Sequence, residues 1–199
     1  MDALDFMWRG GNVARFHTHR TLSTDFVGHH SYNVACIILH QRPEARVELI
    51  TAALLHDVAE HKMGDMPAPA KRALPAYASR PIPGDGPATF REVFAHMEDA
   101  HTRDAGLPTP DLTAEEQWVL KFADSCDGMR FCVQERRMGN VGIAECYENF
   151  RDYVAELLFG NPPPHALGQY EENLRDPARF CDLQLYKHLR GEWFDVHGK

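Results

Sequence analysis

Apolar residues recur at intervals of three or four along most of the chain, the spacing that places them on one side of an α-helix. No stretch alternates apolar and polar residues as a half-buried strand does. The pattern predicts an all-α protein of about six to eight helices, folded as one domain over residues 1–199 with a core at about 15–160 and a helical extension at 161–199. Strong helical stretches lie at residues 29–41, 44–62, 88–104, 113–138, 143–159 and 177–190, with shorter ones at 1–10 and 69–78.

Residues that begin or end helices stand between these stretches. Thr113 and Glu116 have the spacing of a capping box, in which each side chain satisfies a free backbone N–H at the start of a helix. Gly64 is placed to end the helix 44–62, and the prolines that follow prevent its continuation. Residues 79–88 are rich in proline and glycine and predict a loop.

Two stretches carry large apolar residues that we expect to be buried. The stretch 44–62 is apolar on almost every side, which predicts a helix at the centre of the bundle. Val47 and Leu54 belong to its apolar face. At the start of the chain, Phe6 and Trp8 are expected to dock on the body of the protein.

The same central stretch carries an adjacent histidine and aspartate, His56 and Asp57. An ionised aspartate is costly to bury without a partner, and a metal ion is the simplest one. His30 and Asp124 lie on apolar faces of two other predicted helices. Two imidazoles and two carboxylates suit Mn, Co, Fe, Ni or Zn better than Ca. For any one of these histidines, a hydrogen bond to a backbone carbonyl in the core is the alternative interpretation.

Glu60 follows His56 by four residues, which on a continuous helix places both side chains on one side. There Glu60 can take a proton from an attacking water or deliver one to a leaving oxygen. A solvated glutamate near the end of a helix is the alternative. A metal site with a neighbouring general base predicts hydrolytic chemistry.

Charge and composition narrow the classes of partner. The formal net charge is −8, which argues against a surface for nucleic acid. No run is long and apolar enough to span a membrane, and the acidic start of the chain does not resemble a signal peptide. The five cysteines form no C-x-x-C pair, as expected for free thiols in a reducing compartment. We therefore expect a cytoplasmic protein; the resemblance described next adds the host cytoplasm for a phage-encoded chain.

These residues resemble the HD superfamily of metal-dependent phosphohydrolases, and within it the bacterial 5′-deoxynucleotidase branch and the related phage dATP triphosphohydrolases. The matching segments occur in the family's order over roughly residues 15–130, and the most discriminating one follows the His-Asp pair. The segments are Arg15-Phe16, His30-Ser31, His56-Asp57-x-x-Glu60, Gly64-Asp65-x-Pro67-x-Pro69-x-Lys71 and Lys121-x-Ala123-Asp124.

The resemblance implies a helical HD domain that binds a divalent metal cation: Mn, Co, Zn or Mg. It also implies that Asp65 forms a catalytic pair with Glu60. The metal ligands that it implies are His30, His56, Asp57 and Asp124.

The resemblance further implies a small-molecule deoxynucleotide substrate and a homo-oligomeric protein. Arg15 and Lys71 would supply positive charge to the phosphate. Phe16 would contact the sugar and base and so distinguish deoxyribose from ribose, and His19 flanks the same site. A plain core position is the alternative for Phe16.

Two departures from the family pattern concern the choice of nucleotide. Phe16 stands where the branch often has Trp or Tyr, and His29 stands where it usually has Glu. The predicted reaction is hydrolysis of the 5′ phosphoester of a 2′-deoxynucleotide, releasing a deoxynucleoside with either phosphate or triphosphate. The metal ligands are the same for both products. A catalytically silent, metal- and nucleotide-binding regulatory module is the alternative.

Overall fold

A computed structural model describes residues 2–64, 90–160 and 177–195. These residues form helices and no strand, apart from an isolated bridge between Ala14 and Phe26, so the predicted all-α class is confirmed. A single 3-10 turn, Val141–Ile143, precedes the seventh helix. The α-helices are α1 Ala3–Gly11, α2 Val27–Gln41, α3 Val47–Leu55, α4 Glu60–Met63, α5 Phe90–Asp104, α6 Ala114–Arg137, α7 Ala144–Phe159 and α8 Pro177–Asp195.

Helix α6 packs against α2, α3, α7 and α8 and contributes to two core clusters. It begins at the predicted capping box: Thr113 Oγ1 accepts from the Glu116 N–H at 3.2 Å, and Glu116 Oε2 accepts from the Thr113 N–H at 2.9 Å. Met129 of α6, Tyr147 of α7 and Tyr186 of α8 are fully buried in the largest cluster. The C-terminal helix therefore completes the main core.

A second cluster joins α2, α3 and α6. Val34 and Ile38 of α2 pack with Leu49 and Ala53 of α3 and with Ala123 of α6. All five side chains are buried, and this burial is the main stabilising contribution to the contact of the three helices. The cluster brings the C-terminal end of α3 close to the middle of α6, where the candidate site lies.

The central stretch is not one helix, and the prediction of a continuous helix over 44–62 is wrong. Helix α3 ends at Leu55, residues 56–59 form a turn, and α4 begins at Glu60. The predicted C-cap at the end of α4 is confirmed, because Gly64 has φ 81°, a conformation that favours glycine.

A side chain explains the break. His56 Nδ1 donates to the Ala53 carbonyl at 2.9 Å, and in a continuing helix this carbonyl would accept from the Asp57 N–H. The backbone then tightens to bonds three residues apart, as in the bond from the Val58 N–H to the Leu55 carbonyl at 3.2 Å. The turn places His56 and Asp57 beyond the end of α3 instead of on its surface.

The predicted burial of this stretch is also wrong on one side. Val47 is 72% exposed and Leu54 is 44% exposed, because α3 faces α2 and α6 through its other side. The buried residues of α3 are Leu49, Ala52 and Ala53.

Helix α1 covers the turn that follows α3. Phe6 is buried, as predicted, and meets the His61 ring edge-on with ring centroids 4.4 Å apart. Gly10 lies against the backbone of Val58. Trp8 is 64% exposed, so its predicted docking is wrong.

None of the helices in the described ranges is both long and apolar enough to cross a membrane. The predicted helix at 69–78 and the predicted loop at 79–88 lie outside those ranges. The division of the chain into domains stays a prediction.

Substitution of Gly10 by alanine should loosen the contact between α1 and the turn. A Cβ at Gly10 would lie 2.3 Å from the Val58 carbonyl oxygen and 2.7 Å from its Cα, so backbone would have to move. We expect a loss of about 1–3 kcal/mol in the free energy of unfolding, measured by urea denaturation.

Gly11→Ala is the matched control, one residue along the same helix. Its new Cβ would meet Gly28 Cα at an ordinary 3.6 Å, and alanine favours a helix over glycine. Equal stability of the two variants would contradict the close approach at Gly10.

Candidate metal centre

Two imidazoles face each other where α2, α3 and α6 meet. His30 Nε2 and His56 Nε2 are 3.2 Å apart. The other ring nitrogens are already committed: His30 Nδ1 lies 2.7 Å from Asp127 Oδ2, and His56 Nδ1 lies 2.9 Å from the Ala53 carbonyl oxygen. Carboxylates and carbonyls accept and do not donate, so each Nδ1 carries the hydrogen. The Nε2 lone pairs of two neutral rings would then meet, which is unfavourable unless a proton or a metal ion lies between them.

Two carboxylates approach the same point. Asp124 Oδ1 lies 3.3 Å from His30 Nε2. Asp57 Oδ2 lies 3.6 Å from His30 Nε2 and 3.3 Å from His56 Nε2. The structure therefore brings together all four residues that the sequence suggested as metal ligands.

The spacing of these atoms fits a metal ion. One ligand atom each from His30, His56 and Asp124 lie within 4.8 Å of one another. Ligands at about 2.1 Å from one metal lie roughly 3.0–3.4 Å from their neighbours. His30 Nε2 lies 3.2–3.6 Å from His56 Nε2, Asp124 Oδ1 and Asp57 Oδ2, so the cluster could hold a divalent cation. Its identity, and the part of Asp57 in the ligand set, stay predictions.

A proton satisfies this cluster when no metal is bound. Burial and the charge of Arg15 lower the pKa of His30, but the carboxylates of Asp124 and Asp127 outweigh them and raise it to about 9. Burial lowers the pKa of His56 below its usual value, despite the nearby Asp57. One imidazolium therefore lies between acceptors, where a metal would replace its proton.

Both candidate carboxylate ligands stay ionised. Burial would raise the pKa of Asp57, but the two histidines lower it below its usual value. Burial also opposes ionisation of Asp124, and Lys121 and His30 hold its pKa well below the usual range. Lys121 Nζ lies 3.5 Å from Asp124 Oδ2, and its side chain is about half exposed.

Arg15 enters the same region from the loop between α1 and α2. Its Nη1 lies 3.1 Å from Asp25 Oδ2 and 3.8 Å from Asp127 Oδ2, and the side chain is 10% exposed. Burial would lower the pKa of Arg15, but Asp57 and Asp124 raise it. The predicted phosphate-binding arginine is thus within the electrostatic reach of the cluster.

Phe16 occupies a strained position in this loop. Its φ of 58° is left-handed, a conformation that costs a bulky residue on the order of 1–3 kcal/mol. The ring stacks on Phe131 at 4.3 Å between centroids and meets Phe150 edge-on, so one side of it belongs to the core. His19 N–H donates to the Phe16 carbonyl at 2.8 Å. Contacts of Phe16 and His19 with a nucleotide stay predictions.

The sequence interpretation missed the residues that hold this loop. Glu135 is fully buried, and its carboxylate accepts from the N–H groups of Leu22 and Ser23 at 2.7 and 2.8 Å and from Ser23 Oγ at 2.6 Å. Asn140 Nδ2 donates to Glu135 at 2.8 Å and to the Arg20 carbonyl at 2.8 Å. A charged residue inside an apolar helical stretch was the available signal.

Asp127 was missed for a similar reason. It lies three residues after Asp124 on α6, is fully buried, and contacts His30, Arg130 and Arg15. It does not reach the space between the Nε2 atoms, so a search for metal ligands passes over it.

Of the predicted catalytic pair and the predicted phosphate-binding lysine, only Glu60 lies within the described residues. Glu60 is buried as the first residue of α4, but its expected alignment with His56 assumed a continuous helix, and the helix is interrupted between them. Asp65 and Lys71 lie outside the described residues. Their catalytic and substrate-binding roles stay predictions.

The helical architecture and the His-Asp cluster agree with the HD-domain fold that the sequence resembles. The crystal structure of an HD-domain phosphohydrolase from Listeria innocua matches this chain with a TM-score of 0.54 and 18% sequence identity, covering 95% of this chain and 97% of that one. At this identity the likeness shows the fold alone.

The family follows from the sequence. The model of the YfbR-like 5′-deoxynucleotidases matches residues 4–162, and the chain belongs to that family. No functionally curated protein matches the chain. Family and fold together confirm the HD resemblance and support a nucleotide phosphohydrolase, a class that uses divalent metals.

The stability of the metal-free protein should fall as pH rises from about 6.5 to about 9. In this window folded His30 keeps a proton that the unfolded chain has released, so the stabilisation present below pH 6.5 is lost as pH passes the folded pKa of about 9. The expected loss is on the order of 2–3 kcal/mol, measured by urea denaturation with chelator present.

The His30→Gln variant should lack this dependence, and saturating Mn²⁺ should suppress it in the wild type because metal replaces the proton. A wild-type stability that is flat across this window without metal would contradict the pairing of His30 with Asp124 and Asp127.

Proposed function

We propose that this protein is a metal-dependent 5′-deoxynucleotidase that hydrolyses the phosphoester of 2′-deoxynucleoside 5′-monophosphates. The observation that carries the proposal is the approach of two imidazole Nε2 atoms to 3.2 Å between aspartate carboxylates, in a chain that belongs to the YfbR-like family. A divalent metal ion can replace the proton that otherwise satisfies this arrangement, and phosphate hydrolysis is chemistry that a divalent cation promotes.

The metal would be held by His30, His56, Asp57 and Asp124. When bound, it polarises a phosphoryl oxygen and lowers the pKa of a water ligand toward neutrality. Asp124 and Asp57 supply the negative charge that favours a divalent ion over a proton.

Arg15 would bind the phosphate on the side opposite its own partner, Asp25. Among the described residues, its hydrogen bond is made by Nη1, which leaves the second edge of the guanidinium for two phosphate oxygens. Asp25 orients the group, and burial strengthens its attraction for an anion.

Phe16 would support the sugar and base next to Arg15. The ring is already packed on Phe131 on one face, so the nucleotide would contact the remaining surface. The strained backbone at this residue supports a functional role, because such strain persists mainly where the surroundings enforce it.

Glu60 would act as general base or acid for the water and the leaving 5′ oxygen. It is buried one turn after the cluster residues, as the first residue of α4. Asp65 would assist it. We expect the enzyme to work in the cytoplasm as a homo-oligomer on a small-molecule nucleotide.

Hydrolysis of dATP to deoxyadenosine and triphosphate is the second candidate, because both reactions cut the same 5′ oxygen. Lys121, half exposed beside Asp124, is a cation at the edge of the cluster that favours binding of more than one phosphate.

The purified protein should release phosphate from 2′-deoxynucleoside monophosphates when supplied with Mn²⁺, Co²⁺, Zn²⁺ or Mg²⁺. Each metal is tested against all deoxy- and ribonucleoside mono- and triphosphates, and products are separated by chromatography. Preference for deoxynucleoside monophosphates supports the proposal. Free triphosphate as the main product would replace it with the second candidate, and binding without turnover would indicate the silent module.

The screen is accompanied by one variant expected to lose metal binding and one control variant. Asp124→Ala should lose metal binding and at least about 100-fold in kcat/KM, because it removes a ligand with its charge. Asp99→Asn alters an exposed aspartate of α5 and should match the wild type. Full metal occupancy in Asp124→Ala would refute the ligand set.

Glu60→Gln should lower kcat by about 10²–10⁴-fold while metal affinity is retained, since general acid–base catalysis contributes on that scale. The measurement pairs steady-state kinetics with a metal titration. Glu145→Gln, on the exposed side of α7, is the control. A wild-type rate in Glu60→Gln would remove Glu60 from the mechanism.

A further inference from the structure

Asp127 is a buried carboxylate that the proposed reaction does not use. Its Oδ2 lies 2.7 Å from His30 Nδ1, and its Oδ1 accepts from Arg130 Nε at 2.9 Å. Arg15 Nη1 lies 3.8 Å from the same Oδ2. A fully buried carboxylate is costly unless both oxygens are satisfied, and here each oxygen has its own partner.

The two oxygens hold the carboxylate in one orientation. Arg130 comes from the next turn of α6 and fixes Oδ1, which directs Oδ2 toward α2. Because Oδ2 can only accept, His30 must present Nδ1–H to it and Nε2 to the cluster. The ring is thereby fixed both in tautomer and in rotation.

We infer that Asp127 is a positioning residue that aims His30 Nε2 at the metal centre and increases its strength as a ligand. The inference rests on the metal site of the proposed function. Histidine ligands are commonly held in this way through their second ring nitrogen, and loss of such a partner weakens metal binding by about 10–100-fold. His56 is held instead by the Ala53 carbonyl. The Nδ1–H of His30 therefore donates to a charged carboxylate, and that of His56 donates to a neutral carbonyl.

Co²⁺ titration of the metal-free protein tests this role without any substrate. Asp127→Ala removes both contacts and should weaken Co²⁺ binding by about 10–100-fold, with a change in the visible absorption of bound Co²⁺. Asp127→Asn keeps the size of the side chain but offers one acceptor for His30 and Arg130 to share. It should therefore lie between wild type and Asp127→Ala.

Asp25→Asn is the matched control, because Asp25 is also a buried aspartate bonded to Arg15 but is not bonded to His30. Its Co²⁺ affinity and absorption spectrum should equal those of the wild type. An equal loss in Asp25→Asn would overturn the inference, since the effect would then come from Arg15 or from general disturbance of the site.

A double-mutant cycle shows whether Asp127 acts through His30. In a His30→Gln background, Asp127→Asn should cause no further loss of Co²⁺ affinity, because the group that it positions is absent. Additive losses would overturn the inference. If Asp127→Ala does not fold, as judged by circular dichroism, the Asn variant and the cycle decide the matter.

Failure of this inference differs from failure of the proposed function. Wild-type protein that binds Co²⁺ while Asp127→Asn binds it equally well refutes the positioning role alone. Wild-type protein that binds no Co²⁺ refutes the metal centre itself, and with it both proposals.

Discussion

The structure depends on two imidazoles held with their Nε2 edges together, where only a cation, a proton or a metal ion, can satisfy both rings. His30 and His56 have no freedom to turn away, because each Nδ1 is bonded to an acceptor that cannot donate. Their contact at 3.2 Å is repulsive for two neutral rings and favourable only around a cation. Apolar packing of α2 and α3 on α6 fixes the helices that meet here. The free energy of this core burial, away from the site, offsets the free-energy cost of bringing the two rings together.

The break after α3 shows how this arrangement constrains local structure. A histidine and an aspartate next to each other on a regular helix diverge by about 100°. In the turn they converge, with His56 Nε2 and Asp57 Oδ2 only 3.3 Å apart. The same imidazole that faces the cluster breaks the helix by bonding the Ala53 carbonyl.

The sequence predicted the features that depend on local pattern. The capping box at Thr113, the C-cap at Gly64 and the all-α class follow from short-range signals. The family motif pointed to four residues that lie close together in the structure, and their role as metal ligands stays a prediction. The interruption of the 44–62 helix was missed because propensity favours a continuous helix, and the competing bond comes from a side chain.

Long-range partners could not be derived from pattern. Asp127 and Glu135 lie within an apolar helical stretch, where an acid indicates only that some partner exists. Those partners come from α2 and from the loop near residue 22, which lie about a hundred positions away. Apolar pattern also fails to predict burial at some positions, because much of the surface of a protein is apolar. The exposed examples here are Trp8, Val47 and Leu54.

The charges around the cluster explain why metal and substrate would act together in an acidic protein. Four carboxylates, those of Asp25, Asp57, Asp124 and Asp127, surround Arg15 and His30. Such a site repels an anionic phosphate unless its own charge is offset. A divalent ion carries one more positive charge than the proton that it would displace from His30. It would lie where both histidines and both cluster carboxylates meet. Asp127 lies at the opposite edge of the His30 ring, where its charge would strengthen the ligand from outside the cluster. Binding of the cation would therefore reduce the negative charge around Arg15 and favour its attraction for phosphate, which a net charge of −8 over the whole chain would otherwise oppose.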